Sequence, residues 1–162
     1  MRTRKLTAEE IELGRSVFED SIEWNRLVVT DLLGLGRRQF TVPGKGRAIY
    51  LNLGKAAYEY PAAYSSHAYS TPGQMFIHEL VHAWQLCRRN RFSYLVEGAA
   101  VQLNHAAGRN AYAFGPAGYK WESFNLEQQA AIVDTWFAGA DGYPPCSEGN
   151  PYFRYVRDSI RQ

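Results

Sequence analysis

Hydrophobic and polar positions follow a helical period in four stretches of the chain and strand-like runs in two. The first helical stretch opens at Thr7-Ala8-Glu9-Glu10. A threonine whose hydroxyl can take the third amide onward, with a glutamate there reaching back, is a capping box. The helix it starts is predicted to run to about Glu19, burying Ile11, Val17 and Phe18. Residues 22–30 then form a strand around Leu27-Val28-Val29, because β-branched and leucine side chains suit a pleated, half-buried surface. Gly34-Leu35-Gly36 breaks it. Phe40-Thr41-Val42 precedes the turn Pro43-Gly44-Lys45-Gly46, and residues 47–53 form a second strand ending at Gly54. The Tyr-, Ala- and Ser-rich stretch 56–69 is loop.

Thr71-Pro72-Gly73-Gln74 marks the next helix start, with Thr71 as the cap and Pro72 in the first turn. That helix should last to about Arg88, and another should occupy residues 92–107. Residues 110–124 lack a helical period and are loop or short hairpin. Asn125-Leu126-Glu127-Gln128 opens a further capped helix to about Phe137. The tail, punctuated by Pro144, Pro145 and Pro151, stays irregular until a short helix from Tyr152. No repeat, low-complexity tract or linker interrupts this order, so residues 1–162 are expected to form one α+β domain.

Composition narrows the picture in three ways. Aromatic residues reach 14%, with 11 Tyr and 4 Trp, which predicts a ring-lined core or groove. The net charge of +2 is too small to make nucleic acid or an anionic membrane the main partner. Arg2-Thr3-Arg4-Lys5, Arg37-Arg38 and Arg88-Arg89-Asn90-Arg91 read as solvated faces or helix ends. Two cysteines, Cys87 and Cys146, cannot build a thiolate metal site and are expected to be free thiols. No apolar run follows the charged first ten residues, and none is long enough for a bilayer. The expected location is the cytoplasm, or outside it by a route without a cleavable leader.

The chemistry lies on the central helix, at His78-Glu79-Leu80-Val81-His82. Residues four apart on a helix differ by about 40° of rotation and one turn of rise. His78 and His82 can therefore reach one metal ion. Glu79, turned by about 100°, stays out of the coordination sphere but stands beside a water on the metal. That is the arrangement metal-assisted hydrolysis needs: a Lewis acid to acidify the water and a carboxylate to carry its proton. Phe76, Ile77, Leu80, Val81, Ala83, Trp84 and Cys87 form an apolar arc opposite His78, His82 and Gln85, so the histidines should face a cleft.

A catalytic zinc takes three protein ligands, and the third must come from further along. No His-x-x-Gly-x-x-His extension follows His82. Glu97 and Glu127 are the leading candidates, ahead of His105. Glu97 sits among apolar and small residues, where a carboxylate wants a partner, although an arginine such as Arg91 would serve. Glu127 lies in the first turn of a capped helix, where the helix dipole also favours an acid. Residue physics leaves the two level.

Phe76-Ile77-His78-Glu79-Leu80-Val81-His82-Ala83-Trp84-Gln85, followed by Phe124-Asn125-Leu126-Glu127-Gln128-Gln129-Ala130, resembles a family of small bacterial zincin-like proteins. These are known as Vgr-related or Rhs-associated and are linked to contractile, type VI-like secretion systems. Leu6-Thr7-Ala8-Glu9-Glu10 and Ser16-Val17-Phe18 resemble the family's opening, so the likeness covers most of the chain. It implies a zincin fold, a small twisted sheet packed on the His-Glu-x-x-His helix with later helices closing the core. It also implies a Zn²⁺ site of gluzincin type with Glu127, at the recurring Glu-Gln-Gln-Ala position, as third ligand. Glu97 stays open, since Glu-Gly-Ala-Ala is similar to the ligand-bearing helix of other gluzincins. The implied partners are a peptide or protein substrate and secretion-system components or an immunity protein.

The expected activity is zinc-dependent hydrolysis of an amide bond with Glu79 as general base. The alternatives are a catalytically silent metal-binding adaptor or cargo module of a secretion system, and a toxin-type effector protease. Tyr112, Tyr119 and His67 could each stabilise a tetrahedral intermediate, Asp134 could orient a metal ligand, and Trp84 and Trp136 read as core.

Overall fold

The first helix begins where its capping box predicts. The computed structural model describes residues 1–106 and 112–162, with the side chains of residues 35 and 101–106 left aside. In it α1 spans Ala8–Phe18 and both halves of the Thr7–Glu10 box are formed. Glu10 is buried as well, because Arg4 grips both its carboxylate oxygens at 2.8 and 2.6 Å. Val17 and Phe18 enter the core as expected, while Ile11 is only half-buried.

The sheet has four strands in the order β1-β2-β4-β3. They are β1 (Thr3–Arg4), β2 (Leu27–Thr30), β3 (Phe40–Pro43) and β4 (Ile49–Asn52). The two predicted strands are present but shorter at their starts: residues 24–26 form a helical turn ahead of β2. β2 and β4 run parallel, with Leu27 opposite Ile49 and Val29 opposite Leu51. Since side chains alternate faces along a strand, these four buried residues point together into the core. β3 pairs antiparallel with β4 and forms the sheet's edge. After β4 the chain turns at Gly54 into a short helix, α2 (Gly54–Ala57). Gly54 has φ +75°, and a Cβ there would come within 2.6 Å of Leu33, so this turn requires glycine.

Beneath the sheet lies α3 (Gln74–Arg88), buried on every side from Met75 to Leu86. His78 and His82 line a cleft, as the polar arc implied, although each is almost fully buried, and Gln85 lies wholly inside. The Thr71 hydroxyl does not cap the helix, and Gly73, at φ +80°, is the capping residue. Half of the predicted box is present: Gln74 Oε1 accepts from the Thr71 N–H at 3.5 Å, while its Nε2 donates to Asp134.

α4 (Arg91–Ala106) lies over α3 and α5, burying Tyr94 but exposing Phe92, Leu95 and Val96. α5 (Leu126–Ala138) opens with a complete capping box between Asn125 and Gln128 and packs along α3. Between them the described residues hold loop and one helical turn, Trp121–Ser123. The tail forms α6 (Phe153–Tyr155) and a wide turn, Val156–Ile160. Phe153 stacks on the buried Trp136 with ring centres 5.7 Å apart. Arg161 then donates to the carbonyls of Val17 and Ser16 at the end of α1, where unpaired carbonyls welcome a cation. Cys87 and Cys146 are free thiols. Among the described residues no helix is long and apolar enough to cross a membrane. The architecture is α+β, a small mixed sheet packed on the His-Glu-x-x-His helix.

Candidate metal centre

Two helices and one strand build the site. α3 supplies His78, Glu79 and His82, α5 supplies Glu127 and Asp134, and β3 supplies Thr41. The one-turn offset along α3 brings the imidazoles of His78 and His82 to 5.0 Å between ring centres. The capping box at Asn125 fixes the first turn of α5, which presents Glu127 to both rings. One of its oxygens, Oε2, lies 3.3 Å from His78 Nε2 and 3.5 Å from His82 Nε2. The ligand atoms of His78, His82 and Glu127 all fall within 4.8 Å of one another, the one such group of three among the described residues.

The far nitrogen of each imidazole is held by an acceptor. His78 Nδ1 donates to Asp134 Oδ2 at 2.7 Å, and Asp134 is itself steadied by the Gln74 amide at 2.9 Å. His82 Nδ1 donates to Gln85 Oε1 at 2.9 Å. With both Nδ1 atoms protonated and engaged, both Nε2 atoms are the ones free to ligate. The donor set fits a divalent cation of the zinc class. Tetrahedral geometry with bonds of about 2.0–2.1 Å separates ligand atoms by about 3.3 Å, close to the two distances to Glu127.

The electrostatics agree. Burial is the strongest single influence on each group, and by itself it would discharge them all. For His78 it is outweighed by Asp134 and Glu127, which raise its pKa to about 10. Burial lowers His82 too, yet Glu127 carries it above its ordinary value. Burial pushes Glu127 up, but the two imidazoles hold it well below the usual carboxylate range. Protons on the histidines thus do the charge balancing that a metal ion would otherwise do.

Glu79 is almost fully buried yet borders the cleft. Its Oε2 accepts from Thr41 Oγ1 at 2.6 Å. Burial raises its pKa, opposed by His82, His78 and the Thr41 hydroxyl. The cleft has a volume of about 850 Å³. Tyr69 and Tyr112 flank His78, with ring centres 5.7 and 6.3 Å away. Burial, first of all, raises the pKa of both phenols, so they remain donors. On the other side Tyr94 stands beside His82 and donates to the Thr41 carbonyl at 3.1 Å. Arg38 lines the rim and reaches the Tyr112 hydroxyl at 3.4 Å.

The chain is similar to a solved effector domain. That neighbour is the effector domain of Pseudomonas aeruginosa VgrG2b, matched over 98% of this chain and 84% of the other, with a TM-score of 0.63. The two share 23% of residues, so the likeness to the VgrG2b domain is one of fold. A scan against protein-family models finds no match, and neither does a search of curated protein sequences.

Of the sequence candidates, His78, His82, Glu79 and Glu127 converge, and Asp134 supports His78 rather than facing solvent. Glu97 does not take part. It is exposed on α4 and pairs with Arg89; its neighbour Leu95 lines the cleft, but Glu97 does not. The side chain of His105 lies outside the described residues. His67 and Tyr119 are exposed and do not line the cleft, whereas Tyr112 does. Residue patterns passed over Thr41, Tyr94 and the supporting role of Gln85, whereas the Tyr-rich stretch 58–69 was a candidate groove lining and contributes Tyr69. Gln85, three residues after His82 on the same helical face, carried a readable signal; Thr41 depends on tertiary placement alone.

Proposed function

We propose that this chain is an effector domain of a type VI-like secretion system that hydrolyses an amide bond at a zinc centre held by His78, His82 and Glu127. One observation carries the chemistry: three ligand atoms from two helices converge on a point that also borders the Glu79 carboxylate, inside an open cleft. A purely structural metal site has no use for that carboxylate. Zn²⁺ bound there supplies Lewis acidity. Glu79 takes the proton of the attacking water and returns it to the leaving amine, while Thr41 fixes one of its oxygens and leaves the other to the cleft. Tyr69 and Tyr112 stand where a phenol can donate to the oxyanion of the attacked carbonyl.

The effector assignment draws support from the fold shared with the VgrG2b effector domain and from the Vgr-related sequence blocks around Glu79 and Glu127. A peptide or protein substrate inside a target cell, and an immunity protein in the producer, follow from that role.

The test pairs metal analysis with activity. Purified protein should retain zinc, and Glu79→Gln should retain it equally while losing about 10²–10⁴-fold in turnover on an unfolded protein substrate such as reduced casein. Expression in a bacterial host should be toxic for the wild type and harmless for Glu79→Gln. Equal toxicity of the two would favour the rival reading, a metal-binding cargo module without hydrolysis. Absence of metal would sink both.

A further inference from the structure

The two histidines are backed by different chemistry. His78 leans on a carboxylate, Asp134, and His82 on a neutral amide, Gln85. Gln85 has no exposed surface at all, and its amide is used at both ends. Its Oε1 accepts from His82 Nδ1 at 2.9 Å. Its Nε2 donates to the Leu126 carbonyl at 3.1 Å and to Gln129 Oε1 at 3.0 Å. Gln129, equally buried, continues the chain by donating to the carbonyls of Trp121 and Phe124. Leu126 and Gln129 belong to the first turn of α5, and the residue between Leu126 and Gln128 is Glu127. One side chain on α3 therefore touches a metal-facing imidazole and the backbone next to the third ligand.

We propose that Gln85 is a positioning residue for the metal centre, setting the ring orientation of His82 and the placement of Glu127 together. The proposal rests on the zinc-site reading above and deepens it. Only a neutral amide meets both demands. A glutamate would turn an oxygen toward the Leu126 carbonyl and the Gln129 amide oxygen, both acceptors. An apolar side chain of the same length would leave the His82 N–H without an acceptor in a dry interior and let the ring rotate or change tautomer. The carboxylate on His78 cannot compensate, because Asp134 engages the other imidazole and sits on a later turn of α5.

The test uses Zn²⁺ itself as the probe, on full-length wild type and Gln85→Met. Zinc affinity is read by competition with a chromophoric chelator, and the imidazole nitrogens are followed by ¹⁵N NMR. Zinc binding should weaken by about 10–100-fold in Gln85→Met. The His82 Nδ1 proton should exchange faster with solvent, while the His78 Nδ1 proton, held by Asp134, should keep its wild-type exchange rate. Unchanged affinity, or Nδ1 protons of both histidines disturbed alike, overturns the positioning role. Should Gln85→Met fail to fold, the zinc-loaded wild type decides. A slowly exchanging His82 Nδ1 proton with ligation through Nε2 supports the proposal, and ligation through Nδ1 overturns it. A wild type that takes up no Zn²⁺ defeats the metal centre and this proposal with it; wild-type uptake with an indifferent Gln85→Met defeats the positioning role alone.

Discussion

His78 stands between two carboxylates, Asp134 at 2.7 Å and Glu127 at 3.3 Å, and this sets how the metal-free and metal-bound proteins differ. With its pKa raised to about 10, the His78 imidazole holds a proton at neutral pH that the unfolded chain, near 6.5, would largely release. In the metal-free protein the resulting stabilisation is complete below about pH 6.5 and fades as the pH climbs through about 10. A cation must expel that proton, and the raised His82 adds to the effect. Zinc uptake at pH 7 should therefore release between about one and two protons per metal, and affinity should rise from pH 6 to pH 9. Calorimetry in two buffers of different ionisation heat measures the count; a value of zero would contradict this electrostatic picture. The histidine pair and Glu79 were readable in the sequence because their relation is helical and local. Thr41 was not, since its 2.6 Å bond to Glu79 spans 38 residues and depends on where the sheet edge falls.

Among the elements, α5 carries the most consequence, because its first turn holds Glu127 and its start is fixed by Asn125. Replacing Asn125 with Ala removes the side-chain acceptor for the Gln128 amide. It should cost about 1 kcal/mol of stability, measured by urea unfolding. Zinc affinity should fall as well, because the turn bearing Glu127 loosens; loss of stability with undiminished zinc binding would show that the cap does not govern the ligand. The caps of α1 and α5 were legible because a capping box is a local code. The start of α3 was only half legible: Gln74 does accept from the Thr71 N–H, but Gly73 takes a left-handed conformation and delays the helix, and the Gln74 Nε2 bond to Asp134 spans 60 residues. α4 misled for another reason. Its apolar positions imply an inward face, yet Phe92, Leu95 and Val96 are exposed, and so is Glu97.

At the scale of the whole molecule, the His78, His82 and Glu127 cluster joins α3 to α5, the pair that forms the middle of the core. A ligand that binds only the folded state raises stability by mass action. With zinc at a thousandfold excess over its dissociation constant, this amounts to about 4 kcal/mol. For a chain of this size that is a rise in Tm of about 10 °C. Chelator should reverse it, and calorimetric scans with and without chelator check the sign. The α+β class was legible from the order of helical and strand-like patterns. The sheet's order was not, because β1 is two residues long and β3 is a short segment leading into a turn.

Arg161 grips the final carbonyls of α1, and α1 lies directly on α3: a Cβ at Gly14 would come within 3.1 Å of Leu80, the residue after Glu79. The guanidinium thereby braces a helix 144 residues away in sequence. Loosening that brace, as in Arg161→Ala, is expected to slacken α1 where it rests on α3 and so to weaken zinc uptake at a point that touches neither ligand.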